Sequence, residues 1–315
     1  MKQVVSISLG SSSRDKVIEA EFLGEKFRLE RIGTNGSLRK AADLIERFDG
    51  RVDCIGLGGM DRYLWVGKKR YAIRQVDRLA KRALISPVVD GSGLKHTLEP
   101  KALWSLAREG VVDFAGKQAL MLSGVDRWGM AEALEKLGCQ MTYGDIIFAL
   151  GLPIPLRSLG AVHLAGTILL PLLCWLPMSF LYPTGSKQQR PPSKKKQAWF
   201  RRAEIIAGDF LFLRRYLPRD LSGKIVITNT TTTEDVRLLA SRRAKALITT
   251  TPRLGGRSFG CNVMEGVLVA LSGRRPQELS AADYEEFISR LEWKPAVERF
   301  DESEPAPLGD SEQGH

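Results

Sequence analysis

Asp90-Gly91-Ser92-Gly93 sets an acid five residues ahead of Lys95, in a loop that two glycines leave open to a ligand. An amine and a carboxylate at one pocket can exchange a proton with a substrate hydroxyl when burial and neighbouring charge adjust their acidities. Lys95 and Asp90 are therefore the candidate catalytic pair. Gly124 and Gly129 bracket a second loop, SGVDRWG, which carries Arg127 and leads into the helical stretch MAEALEKL. Backbone N–H groups and partial positive charge at such a helix start suit a phosphate. Asp145 follows the next strand, 21 residues after Gly124, where dinucleotide folds place the acid that holds the ribose hydroxyls. Gly124, Arg127, Gly129 and Asp145 thus form the candidate site for NAD or NADP, although the loop lacks the full GxGxxG pattern and carries the bulky Trp128.

A third loop runs from Thr249 to Gly260 at a strand end. Its Arg253 and Arg257 can fork onto a carboxylate, and Gly255 and Gly256 let the backbone approach a ligand. With Thr250 and Ser258 they make the candidate site for a small-molecule carboxylate substrate. Thr231 and Glu234 have capping-box spacing. Ser8 to Ser13 resembles the phosphate hairpin of actin-like kinases, with Ser8 where those proteins carry an aspartate. His96 and His163 are isolated, and Cys54, Cys139, Cys174 and Cys261 lie far apart, so no metal site is expected.

The elements that must position these loops alternate in type. VVSISL, VIEAEFLG and KFRLERIG read as strands, SLRKAADLIERF as a helix, and YLWVGKKRYAIR as a hairpin. A helix over 75–84 leads to the apolar run ISPVV and a second helix over 100–109. QALMLSG, MAEALEKL and CQMTYGD form one βαβ unit; KIVITNT, EDVRLLASRR and AKALITTT form another. The pattern predicts an α/β fold of mostly parallel sheets from Rossmann-like βαβ units, with a hairpin-rich N-terminal lobe. The division is 1–115 for that lobe, 116–299 for the Rossmann-like lobe and 300–315 for an acidic, proline-bearing disordered tail.

The chain has 315 residues and a net charge of +11. Ten basic residues fall between Lys187 and Arg219 against Glu204 and Asp209. No zinc finger, recognition helix or aromatic RNA signature accompanies them, so specific nucleic-acid binding is not expected. Ahead of this cluster, 158–186 holds no charged side chain. Pro171 and Pro177 interrupt a single long helix, which favours a buried segment or a homo-oligomer interface, with peripheral membrane contact as the alternative. MKQVVSISLG enters a strand without a basic-then-apolar leader, and the reading predicts a cytoplasmic protein, with membrane association through the apolar segment as the alternative.

VVSISLGSSSRD, CIGLGGMD, VVDGSGLK, LYPTGSKQ and TTTPRLGGRSFGCNVMEG together resemble a bacterial family labelled quinate 5-dehydrogenase, over residues 1 to about 273. The resemblance implies oxidation of a cyclohexane-ring alcohol by a nicotinamide cofactor, with a Lys and Asp pair handling the hydroxyl proton. The NVTxPxK, NxDxxG and GxGGx motifs of quinate and shikimate dehydrogenases are missing, so Lys95 and Asp90 take these roles by chemistry. The alternative is a non-catalytic ligand-binding or membrane-peripheral protein.

Overall fold

Alternation of side chains along the first strand decides how the molecule is layered. Val5 and Ile7 face one core and Val4 faces another, so this strand must be covered on both sides. The computed structural model describes residues 1–177, 194–254 and 257–300. Its first lobe contains β1 (Lys2–Ser8), β2 (Lys16–Phe22), β3 (Glu25–Gly33), α1 (Leu38–Phe48), β4 (Cys54–Gly58), the hairpin β5 (Tyr63–Val66) and β6 (Lys69–Ala72), α2 (Arg74–Ala80) and β7 (Val88–Val89). The sheet order is β2-β3-β1-β4-β7, with only β2 antiparallel.

Two short helices, α3 (Ser92–His96) and α4 (Leu98–Arg108), lead to the second lobe. There β8 (Gln118–Met121), α5 (Trp128–Lys136), β9 (Gln140–Tyr143), a π-helical turn (Asp145–Leu150) and α6 (Leu159–Leu173) precede β10 (Ile205–Ala207), α7 (Phe210–Tyr216), β11 (Ile225–Thr228), α8 (Thr233–Ser241) and β12 (Ala246–Thr249). The hairpin β13 (Arg253–Leu254) and β14 (Arg257–Ser258), α9 (Cys261–Ser272), α10 (Ala281–Arg290) and β15 (Ala296–Arg299) complete it. The second sheet runs β15-β12-β11-β10-β8-β9, parallel except for β15. The fold is α/β with mostly parallel sheets, as the strand and helix pattern predicts.

The chain then returns to its beginning. Val263, Met264, Val267 and Leu268 of α9 and Tyr284 and Ile288 of α10 join Val4, Cys54 and Val89 in one core beneath the first sheet. Gly266 allows this approach, since a Cβ there would stand 2.6 Å from Val4.

Several local expectations change. Ser8 to Ser13 is no hairpin: β1 is a central strand paired in parallel with β3 and β4, so the chain leaves it through a 3-10 turn at Ser12–Arg14. The capping box on α8 is Thr232 with Asp235, one residue later than the Thr231 and Glu234 spacing suggests. Pro171 sits inside the last turn of α6 and does not break it. The basic stretch before Lys194, the apolar residues 178–186 and the tail beyond 300 lie outside the described residues.

Candidate functional site

Parallel strands direct their C-terminal ends, and the loops that follow, to one edge of a sheet, and ligands bind where neighbouring connections diverge. In the second sheet that point lies between β8 and β10, because the chain leaves β8 toward β9 on one side and returns as β10 on the other. A cavity of ≈ 180 Å³ opens there between the lobes. Gly10 and Asp61 reach it from the ends of β1 and β4, Ser123 and Asp126 from β8, Asp209 from β10 and Asn229 from β11. Lys95, Asp90, Arg127 and Asp145 line the same cavity.

Lys95 is delivered by α3, which starts at Gly91 with φ +93. A Cβ on Gly91 would stand 2.8 Å from Cys261, so glycine is required there by space as well as by conformation. The Lys95 ammonium lies 2.5 Å from Asp61 Oδ1 and 2.5 Å from Asp126 Oδ1. Burial pushes its pKa down, but Asp126 and Asp61 outweigh burial and leave it raised. Burial likewise pushes Asp126 up, and Lys95 and Arg127 bring it below its ordinary value. The result is a buried ion cluster with one carboxylate from each lobe, and two of the three ammonium N–H groups engaged. Asp90 is not the partner of Lys95: its oxygens accept N–H from Arg62 at 2.7 Å, Tyr63 at 3.1 Å and Ser92 at 3.1 Å. It fixes the turn that presents Lys95.

The nucleotide candidates have other partners. Asp145 accepts N–H from Gly124 at 3.0 Å and Val125 at 3.1 Å, and the Ser123 hydroxyl at 3.3 Å. Burial raises its pKa. The amides that would meet a phosphate therefore already hold a carboxylate of the chain itself. Arg127 is buried and paired with Glu99 and, at 3.0 Å, with Asp209. Gly129 serves close packing, since a Cβ there would stand 2.4 Å from the Lys95 carbonyl oxygen. This loop, with Asp145 in place, does not fit a pyrophosphate.

In the third loop, the buried Thr250 donates its N–H to Thr228 at 2.9 Å. The Ser258 hydroxyl binds Thr230 at 3.0 Å and accepts the Thr231 N–H at 2.8 Å. Thr250 thus extends the β11–β12 pairing and Ser258 fastens β14 to the residues after β11; neither is among the residues that line the cavity. Arg253 and Arg257 take part in that hairpin through their backbones; their side chains, and all of Gly255 and Gly256, lie outside the described residues.

Asp61 and Asp126 escape the sequence reading, yet a signal for them exists. Leu57-Gly58-Gly59-Met60-Asp61-Arg62 and Leu122-Ser123-Gly124-Val125-Asp126-Arg127 share a glycine, apolar, Asp, Arg pattern. Each follows a parallel strand and each sends its aspartate to Lys95.

A family described as domain of unknown function DUF8754 matches residues 93–300, two thirds of the chain. The chain belongs to that family. A second domain of unknown function, DUF8753, matches residues 3–90. No curated protein matches. Among solved structures, a glutamate dehydrogenase from Thermus thermophilus is 13% identical over 92% of this chain and 73% of its own, with a TM-score of 0.42. An ABC transporter solute-binding protein from Burkholderia multivorans is 11% identical over 94% and 98%, at a TM-score of 0.36. Ornithine carbamoyltransferase from Pyrococcus furiosus is 13% identical over 89% and 86%, at 0.34. Likenesses of this degree leave the function to be argued from the site.

Proposed function

We propose that the cavity between the lobes is an active site for a hydroxyl or carbonyl group of a small molecule, with Lys95 as the group that handles the oxygen. The observation that carries this reading is the buried ammonium held between Asp61 and Asp126 at the cavity wall. A hydrogen bond from Lys95 polarises a carbonyl, and its proton moves across as negative charge builds on the oxygen. Asp61 and Asp126 hold the resulting amine in place and favour its return to the ammonium form. Arg215 also lines the cavity and offers a cation to a carboxylate on the substrate. The resemblance to the quinate 5-dehydrogenase family points to the same class of reaction, an oxidoreductase acting on a hydroxy acid.

That reading calls for NAD or NADP as hydride partner. A pyrophosphate at Gly124 must first displace the Asp145 carboxylate, so the test uses both wild type and Asp145→Ala. Thermal unfolding with NAD, NADP, quinate and shikimate is expected to show stabilisation by one nucleotide, larger in the variant, because a ligand of the folded state raises its stability. Lys95→Met is expected to keep that shift and lose nucleotide-linked turnover. No shift in either protein with either nucleotide overturns the dehydrogenase reading.

A second reading, a membrane-peripheral ligand-binding protein, has its own support. Leu164, Ile168, Leu172 and Trp175 are 62–72% exposed and recur at helical spacing along α6 and its end. The Arg74 guanidinium stacks 3.8 Å above the Trp175 ring, an aromatic and cation pairing suited to a bilayer surface.

A further inference from the structure

We infer that the ligand of this cavity has an apolar body, a single ring or short hydrocarbon with its oxygen at one end, and is not a polyhydroxylated compound. The inference rests on the same site as the proposed function and narrows its substrate class.

Two features of the lining carry it. First, α6 turns Val162, Ala165, Leu169 and Leu173 into the cavity, and Ile146 and Phe212 line it as well. Second, apart from Lys95 and Arg215, the polar side chains along these walls are already engaged with the protein itself. Asp90 holds three backbone amides, and Asp145 holds two amides and a hydroxyl. Asp209 caps α7 and binds Arg127. Asn229 donates to Asp209 at 3.3 Å and accepts from Thr228 at 3.1 Å, while Asn262 donates to Ser6 at 2.6 Å. A ligand bearing a hydroxyl on most carbons would lose water along these walls without gaining equivalent partners. Only the ends of such a ligand find partners, an oxygen at the remaining N–H of Lys95 and an acidic group at Arg215. The ≈ 180 Å³ volume compares with the roughly 150 Å³ apolar cavity that holds a benzene ring, so one six-membered ring with a short substituent fills it.

The test is calorimetric binding of cyclohexanol and its 4-methyl, 4-ethyl and 4-propyl derivatives, beside shikimate and quinate. Affinity is expected to rise about fourfold for each methylene until the cavity is full, the fold-change that ~0.8 kcal/mol per buried CH₂ gives. Ala165→Phe, which fills the cavity, is expected to abolish binding. Leu169→Ala enlarges the same wall and is expected to move the best ligand to a longer substituent, so a poorly folded Ala165→Phe does not decide the matter. Tighter binding of shikimate or quinate than of every alkylcyclohexanol overturns the inference, as does an alkyl series that binds both variants as it binds wild type. Alkylcyclohexanol binding without turnover in any nucleotide upholds this ligand class and sinks only the catalytic reading.

Discussion

Glu265 is a buried carboxyl that accepts hydrogen bonds from Tyr284 at 2.9 Å and from the Gly93 N–H at 3.2 Å. Its other oxygen has no partner among the described residues. Burial, helped by the nearby Asp90, pushes its pKa up to about 7 from an ordinary 4.5. The folded chain therefore keeps a proton between those values that the unfolded chain has released, and stability falls as pH rises through the window. The slope is about 1.4 kcal/mol per pH unit, roughly 3 kcal/mol in all. Glu265→Gln is expected to flatten the pH dependence of urea unfolding between about pH 4.5 and 7 and to raise stability at pH 8. An unchanged slope in the variant refutes the assignment. Nothing in the apolar helix CNVMEGVLVALS marks Glu265 as special, because its partners Tyr284 and Gly93 come from distant parts of the chain. The glycine-flanked loop singles out Lys95, which lines the cavity. Its true partners were not legible there, since each arrives from a loop more than 30 residues away.

At the scale of elements, βαβ units and hairpins are local patterns, and local periodicity is enough to find them. The β2–β3 and β5–β6 hairpins and the parallel strands β8, β9, β11 and β12 follow from it, whereas the three-residue β10 is too short to show a period. The nucleotide assignment at Gly124 and Gly129 looked equally local. In the fold Gly129 serves the packing of α5 against α3, and the Gly124 amide holds Asp145, which reaches across from the end of β9. The 15-residue α6 poses a different question, since no described helix is long and apolar enough to cross a membrane. If its outer stripe rests on lipid, sedimentation with vesicles of anionic phospholipid is expected for wild type and lost in an Ile168→Glu, Leu172→Glu double variant. Equal sedimentation of the two proteins counts against that face.

Across the whole molecule, the family boundary near residue 90 does not coincide with a boundary in packing. The segment 3–90 carries every strand of the first sheet but none of the helices that cover its second face. Without α9 and α10, Val4, Phe27, Leu29, Cys54 and Val89 lose their cover, and each large side chain so exposed forfeits about 1.5–3 kcal/mol. A fragment of residues 1–92 is expected to lack cooperative unfolding and dispersed amide resonances, while the full chain melts in one transition. A well-folded fragment removes this account. The packing of α9 on β1 and β4 leaves no trace in periodicity, which reports that a helix has an apolar face and not what the face meets.

The return of α9 also bears on how the protein is made. At roughly 5–20 residues per second on the ribosome, the 182 residues between Asp90 and Ser272 take about 10 to 35 s to add. Through that interval the nascent first sheet has no partner for its underside, so a sheet synthesised ahead of the second lobe is completed only after it.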